Sequence, residues 1–440
     1  MSDPASEPLF RLEIAGLPEP FIVTAFTGSE AISEPFVYEV DVSIPDMSLD
    51  LASLLYRRAW LSLGRMGAVV HGQINDVVQQ HPGARCRMRI GPKLAGLAQR
   101  FTRRVFNTCS VPQILRSVLK AHGMCERSLR FDLDGEYPPQ DLCVQRRESD
   151  LQFLQRLCAE AAIHFHFDQG TQGHRLVFAD HPGSFSTADP VAYRADGVAP
   201  GVRAFRVRTD FRDTYAAWGR SDLLTLRCGQ RLTLVEHPVE GLNRQWLVTR
   251  VEHRGQALGY GNHFRVIPWG EPFLAARADA AFAAMGQQRG WVVAVDAPPA
   301  KTAGRVAVQF DWLYQGEGAS ASHCWVPLSP ELAASTTTPL RDGTEVLVSF
   351  IEGDPGRPLI CALLEEAAPQ QRAAQPCVPN VGSSVAPCKT VADPALLSAL
   401  RSAEPLIPLC LLPEGGCFNG CAQPVCVCRI VTQRDAGAWR

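Results

Sequence analysis

Four cysteines near the end of the chain, Cys417, Cys421, Cys426 and Cys428, have the residue type and crowding most suggestive of chemistry. Thiolates this close together can hold zinc tetrahedrally, or an iron centre, and a bound metal would stabilise a segment too small for a core of its own. Their Cys-x3-Cys-x4-Cys-x-Cys spacing is not that of a standard zinc finger. Disulfides formed after export, and ordinary or partner-covered thiols, therefore stay open beside a metal site. His164 and His166 lie two apart in a strand-like run, so they share a face and offer two metal ligands. No third ligand is placed by the sequence, and a polar strand face opposite Ile163, Phe165 and Phe167 is expected. Glu352 and Asp354 fall in Glu352-Gly353-Asp354-Pro355, where acidic side chains shape and cap the backbone. A structural turn is expected there. Nucleophile elbow, Walker loop, dinucleotide-binding glycine fingerprint and His-Glu-x-x-His patterns do not occur, and an enzyme is not expected. No cofactor is expected beyond zinc or iron at the tail cysteines.

The elements around these residues are mostly strands. Val346, Val348 and Phe350 alternate with Leu347, Ser349 and Ile351, the period of a strand, and Leu359 to Leu363 reads as its return. Gly304 to Trp312 sets Val306, Val308, Phe310 and Trp312 on one face. With Val292–Val295 and Cys324–Leu328 this makes five short strands, the pattern of a small closed oligonucleotide/oligosaccharide-binding (OB) barrel over 290–366. Upstream, Phe10–Ile14, Phe36–Val42, Val69–Val78 and Arg85–Ile90 alternate likewise and predict a first barrel over 1–106, with Asp50–Arg58 as a flanking helix.

Over 107–189 the period changes. Ser110 is an N-cap, Pro112 lies in the first turn, and Gly123 stands at the C′ position. Ser149 and Gln152 form a capping-box pattern ahead of a second helix. Gly229–Val235, Gln245–His253 and Asn262–Pro268 are strand candidates of a second barrel over 190–274, and 275–289 reads as a linker or helix. The segment 367–440 is rich in Ala, Pro and Cys, with one candidate helix at Asp393–Ser402. The fold class is mainly β with some helix (α+β).

The chain has 440 residues, 46% hydrophobic and 20% charged, with a formal net charge of −2. That balance gives no overall pull towards nucleic acid or anionic membrane. No apolar run reaches the ~18 residues of a spanning helix, and MSDPASEPLF lacks the regions of a signal peptide. Assembly in the cytoplasm is expected, with any export by another route. The eight cysteines from Cys86 to Cys361 read as buried thiols.

The pieces GRVAVQFDW, SHCWVPLSP and GTEVLVSFIEGDPGRPLI, in this order, resemble the OB module of VgrG proteins, the spikes of type VI secretion systems related to contractile-phage tail hubs. RRESDLQFLQRLCAEAAIHFHF resembles the helix-to-strand segment of the same family. It departs in Ala162, where the family usually has glycine, and in histidines where it usually has tyrosines. Residues 190–225 match poorly. The resemblance implies a tandem-barrel platform with a helical insertion, an OB barrel and a short Cys-rich tip, assembled as a homotrimer. It implies a tube protein (Hcp-like) under the platform, a PAAR-like tip protein or effector at the C-terminal end, baseplate contacts, and membrane encounter by puncture alone. A phage-tail-like or extracellular contractile hub is the alternative. An OB module binding nucleic acid or sugar is weaker, because the barrel lacks a basic, aromatic-studded face.

Overall fold

The computed structural model describes residues 9–44, 50–64, 68–80, 85–145, 148–170, 173–209, 215–256, 259–271, 273, 286–294, 304–311, 323–335, 340–354 and 356–364. The described residues belong to one compact unit. The tail cysteines, the candidate helix 393–402 and Pro355 lie outside the described residues.

Six strands build the first barrel: β1 (Phe10–Ile14), β2 (Phe21–Ala31), β3 (Val37–Ser43), β4 (Arg58–Leu63), β5 (Ala68–Gln80) and β6 (Arg85–Gly91). They run β1-β4-β5-β6-β3-β2, and β2 returns to β1. The alternation works as expected, since Tyr38, Val40 and Val42 are fully buried while their neighbours face outwards. Phe10 and Phe26 meet edge-on inside, with ring centroids 5.0 Å apart. One expectation needs correction. Asp50–Arg58 is not a helix: Leu51–Leu54 is one 3-10 turn capped by the Asp50 side chain, and Arg58 opens β4. The 11-residue strand β2, which takes in Phe26–Ala31, is not among the strands expected from the sequence. Gly28 disguises that strand, yet it is needed there because a Cβ would collide with the ring of Tyr38.

The insertion comprises β7 (Arg104–Cys109), α1 (Val111–Ala121), β8 (Leu129–Asp132), β9 (Gln140–Gln145), α2 (Asp150–Glu160), β10 (His164–Gly170) and β11 (Gly173–Ala179). Both helices start on the expected caps: Gln113 and Gln152 accept from the Ser110 and Ser149 backbones, and the Ser149 hydroxyl accepts from Gln152 N–H. Both end in the same motif. Met124 N–H reaches Leu119 O, and Ile163 N–H reaches Cys158 O. The residue that must turn left-handed is Gly123 in one case (φ 64°) and Ala162 in the other (φ 54°). The apolar faces of α1 and α2 pack with Phe165, Leu176 and Phe178 in a separate core.

The second barrel follows: β12 (Ser186–Thr187), β13 (Val191–Ala192), β14 (Val202–Thr209), β15 (Tyr215–Ser221), β16 (Gln230–Val235), β17 (Gln245–Gln256) and β18 (Gly259–Pro268). Strands pair in the order β13-β16-β17-β18-β15-β14, and a Tyr193–Val202 bridge ties β13 back to β14. The poorly matching residues 190–225 thus supply three of its strands. The first half of β17 pairs with β16, and its second half, Arg250–Gln256, pairs with β2. One sheet therefore passes through both barrels.

The last five strands are β19 (Gln288–Val292), β20 (Arg305–Phe310), β21 (Cys324–Pro327), β22 (Glu345–Phe350) and β23 (Pro358–Leu364), with the short helix α3 (Pro330–Ser335) between β21 and β22. Their order is β21-β20-β19-β22-β23, and a parallel Leu328–Ile360 bridge joins the two ends. Gln288 and Arg289 belong to β19 rather than to a linker. Leu142 and Val144 of β9 enter this core beside Val308, Phe310, Val326 and Ile360, so the insertion and the last barrel are packed as one body.

Candidate functional site

Where β2 meets β17, the fold buries a charged cluster that joins the two barrels. Glu30 accepts from the Tyr38 hydroxyl at 2.5 Å and from Cys228 N–H at 3.0 Å. Arg227 Nε lies 3.7 Å and His253 Nε2 3.6 Å from the same carboxylate. His253 Nδ1 pairs with the Tyr260 hydroxyl at 2.6 Å, Asn262 donates to that oxygen at 3.0 Å, and Ser221 donates to Asn262 at 2.7 Å. Burial alone would raise the Glu30 carboxyl, but His253, Arg227 and Tyr38 outweigh it and hold it down at about 2. Burial pushes His253 down, opposed by Glu30. The carboxylate beside Tyr38 helps burial push that phenol well up. The cluster is a staple of mixed charge between the two barrels.

A second buried knot holds the start of α2. Asp150 is fully buried and accepts from Thr102 (2.5 Å), Gln145 (2.6 Å) and Arg104 (2.8 Å), with His122 Nε2 at 2.7 Å. Burial raises its carboxyl, and these partners bring it below the usual range. Glu148 and Arg156 pair beside it at 2.7 Å. The Glu-Ser-Asp motif read in the sequence therefore ties α1, β7, β9 and α2 together.

The other candidate residues take these positions. His164 and His166 share a face, as their spacing dictates, but that face is buried: they are 5% and 2% exposed and pack on Phe185, with ring centroids 4.6 and 4.9 Å away. The expectation of an outward polar face is corrected, because Phe185 and Phe273 from the chain beyond cover it. Burial and the neighbouring His166 and His181 lower His164 to about 4. Glu352 and Asp354 lie in an exposed turn. Asp354 accepts from Gly356 N–H at 2.8 Å, and both Glu352 (φ 57°) and Gly353 (φ 74°) are left-handed. Among the described residues, Asp134, Asp180 and His181 bring ligand atoms within 4.8 Å of one another. The Asp180 carboxylate is already bonded to Asp134 N–H, Gly135 N–H and the Tyr137 hydroxyl, which makes it a clamp on the 134–137 loop. Sequence reasoning missed Glu30, Arg227 and His253, which lie far apart in the chain.

This architecture matches known proteins. The phage tail baseplate hub (GPD) family matches residues 29–218. The Pseudomonas aeruginosa type VI secretion spike proteins VgrG4b and VgrG5 are 31% and 32% identical over 84% and 83% of this chain. The matched region spans 57% and 58% of their length. A solved Escherichia coli type VI secretion component, described as similar in structure to the T4 phage tail proteins gp27 and gp5, superposes with a TM-score of 0.68 at 23% identity. It covers 80% of this chain and 99% of that one. The fold, mostly β with a six-stranded barrel and few helices, is like that of phage tail hub proteins. The chain carries the phage tail baseplate hub domain and is homologous to the VgrG spike proteins of type VI secretion.

Proposed function

We propose that the protein is the hub and spike of a type VI contractile injection machine. It acts as a homotrimer that caps an Hcp-like tube, meets the baseplate, and is driven through a target envelope. The observation that carries this reading is the sheet shared by the two barrels. It runs β5-β6-β3-β2-β17-β18-β15-β14 and, among the described residues, has a free edge at each end. Beyond Ile74, β5 pairs only with β6, and beyond Val202, β14 pairs only with β15, among the described residues. Unpaired edges attract other strands. Head-to-tail contact between three copies would cover both ends in a closed ring, with two barrels per copy facing a sixfold tube.

The five-stranded order β21-β20-β19-β22-β23 with its parallel closing bridge supports the OB reading of the last barrel. The segment 367–440 is the place for a PAAR-like tip protein or effector, and Cys417, Cys421, Cys426 and Cys428 are the proposed zinc or iron ligands. A Vibrio cholerae relative named actin cross-linking toxin VgrG1, 27% identical over 80% of this chain, supports effector carriage as a theme among relatives. The spike relatives favour type VI secretion over a phage-tail setting. Assembly would take place in the cytoplasm and delivery outside the cell. In a host lacking other spike copies, deleting this protein should stop release of the tube protein, and the full chain should restore it. Undiminished release after deletion would refute the proposal.

A further inference from the structure

The side of the β14-β15-β18-β17 sheet that faces away from the barrel core is strongly cationic. Register places Arg206, Trp218, Arg265 and Arg250 directly across from one another, strand by strand. Arg220 and His263 pair in a neighbouring row, Arg254 lies one row further on β17, and Arg208 follows Arg206 on β14. Arg206, Arg208, Arg220, Arg254 and Arg265 are exposed and have no ion-pair partner among the described residues. The contrast lies on the same sheet. There Arg87 and Arg89 are neutralised by Asp41 and Glu39, at 2.7 and 2.9 Å. Trp218, 40% exposed, stands between two arginines in this row. Beside this row the sheet forms a depression of about 940 Å³, lined by Arg220, Arg254, His263, Glu252, Glu39 and Asp222 among others.

We propose that this face docks a protein partner through a carboxylate-rich helix. Arginine and tryptophan together are what protein interfaces use as anchors. Arg206 and Arg265 are two strand steps apart, about 10 Å. Two turns of helix rise about 11 Å, so carboxylates two turns apart reach both arginines while an apolar residue between them covers Trp218. Glu39 and Asp222 are held by Arg89 and Arg203, while the exposed Glu252 beside the row disfavours a continuous phosphate backbone and would fix the register of a protein surface carrying both signs. The row lies on β14, β15 and β18 of a single chain, so the docking face does not depend on trimer assembly.

The test uses the full chain and a labelled, alanine-based helical peptide with glutamates along one face. Its lysine counterpart and a labelled oligothymidylate serve as comparators. The glutamate peptide should bind at low salt and weaken steeply as salt screens the arginines. Arg206→Glu with Arg265→Glu should weaken it about tenfold or more, the scale of a lost charge-assisted contact pair. Trp218→Ala should weaken it several-fold, and Arg87→Glu should leave it unchanged. Light scattering on each variant separates loss of docking from loss of assembly. Absence of glutamate-peptide binding, equal loss in Arg87→Glu, or tighter oligothymidylate binding through the same arginines would overturn the proposal.

Discussion

Replacing His164 with phenylalanine should remove a defined part of the protein's sensitivity to acid. The imidazole is 5% exposed, stacked on Phe185, with Nε2 3.3 Å from the Ser184 hydroxyl. The ionisable groups acting on it are His166 and His181, which lower it further, and Asp180, which opposes them. Its value falls from 6.5 to about 4, so the ring stays neutral in the fold while the unfolded chain takes up a proton below about 6.5. The unfolded state then binds more protons, and stability falls as pH drops from 6.5 towards 4. At about 1.4 kcal/mol per tenfold change in proton affinity, the loss is about 3 kcal/mol. Phenylalanine fits the same ring stack and should change stability at pH 7 by less than ~1.5 kcal/mol. Urea unfolding followed by tryptophan emission at pH 7, 6, 5 and 4 measures the difference. The wild type should lose about 3 kcal/mol more than His164→Phe over that range. Parallel curves for the two proteins would refute the reasoning.

Glu30→Gln leaves Arg227 buried without a countercharge and should cost about 3–5 kcal/mol in urea unfolding. Adding Arg227→Met should recover most of the loss, because an apolar pair replaces the broken one; no recovery would count against the staple. Ala162→Gly should stabilise by about 1 kcal/mol, since the C′ position of α2 is left-handed; a destabilised variant would contradict that cap geometry. Metal analysis of the full chain should find zinc or iron that is absent after truncation at Glu366, and a metal-free full chain would remove the metal from the tail cysteines.

The strands with clean alternation were legible because burial on one face imposes a period of two, as at Tyr38, Val40 and Val42 or Val346, Val348 and Phe350. The caps at Ser110, Ser149 and Gly123 were legible because they answer local backbone needs. Strand β2 was hidden by Gly28, whose purpose is visible only once Tyr38 lies against it. Strand β15 was hidden because small residues (Ala217 and Gly219) fill its inward face beside the outward Trp218 and Arg220. The Glu30–Arg227–His253 cluster joins a strand near the start of the chain to two segments about 200 residues further on, so neither motif nor periodicity announces it. His164 and His166 showed their shared face but not its cover, which Phe185 supplies from beyond β11.

In the proposed hub, the free ends of the two-barrel sheet are completed by other copies of the same chain. Light scattering on the purified full-length protein tests it most directly. A mass near three times 48.1 kDa is the expected result. A stable monomer of 48.1 kDa at micromolar concentration would contradict it.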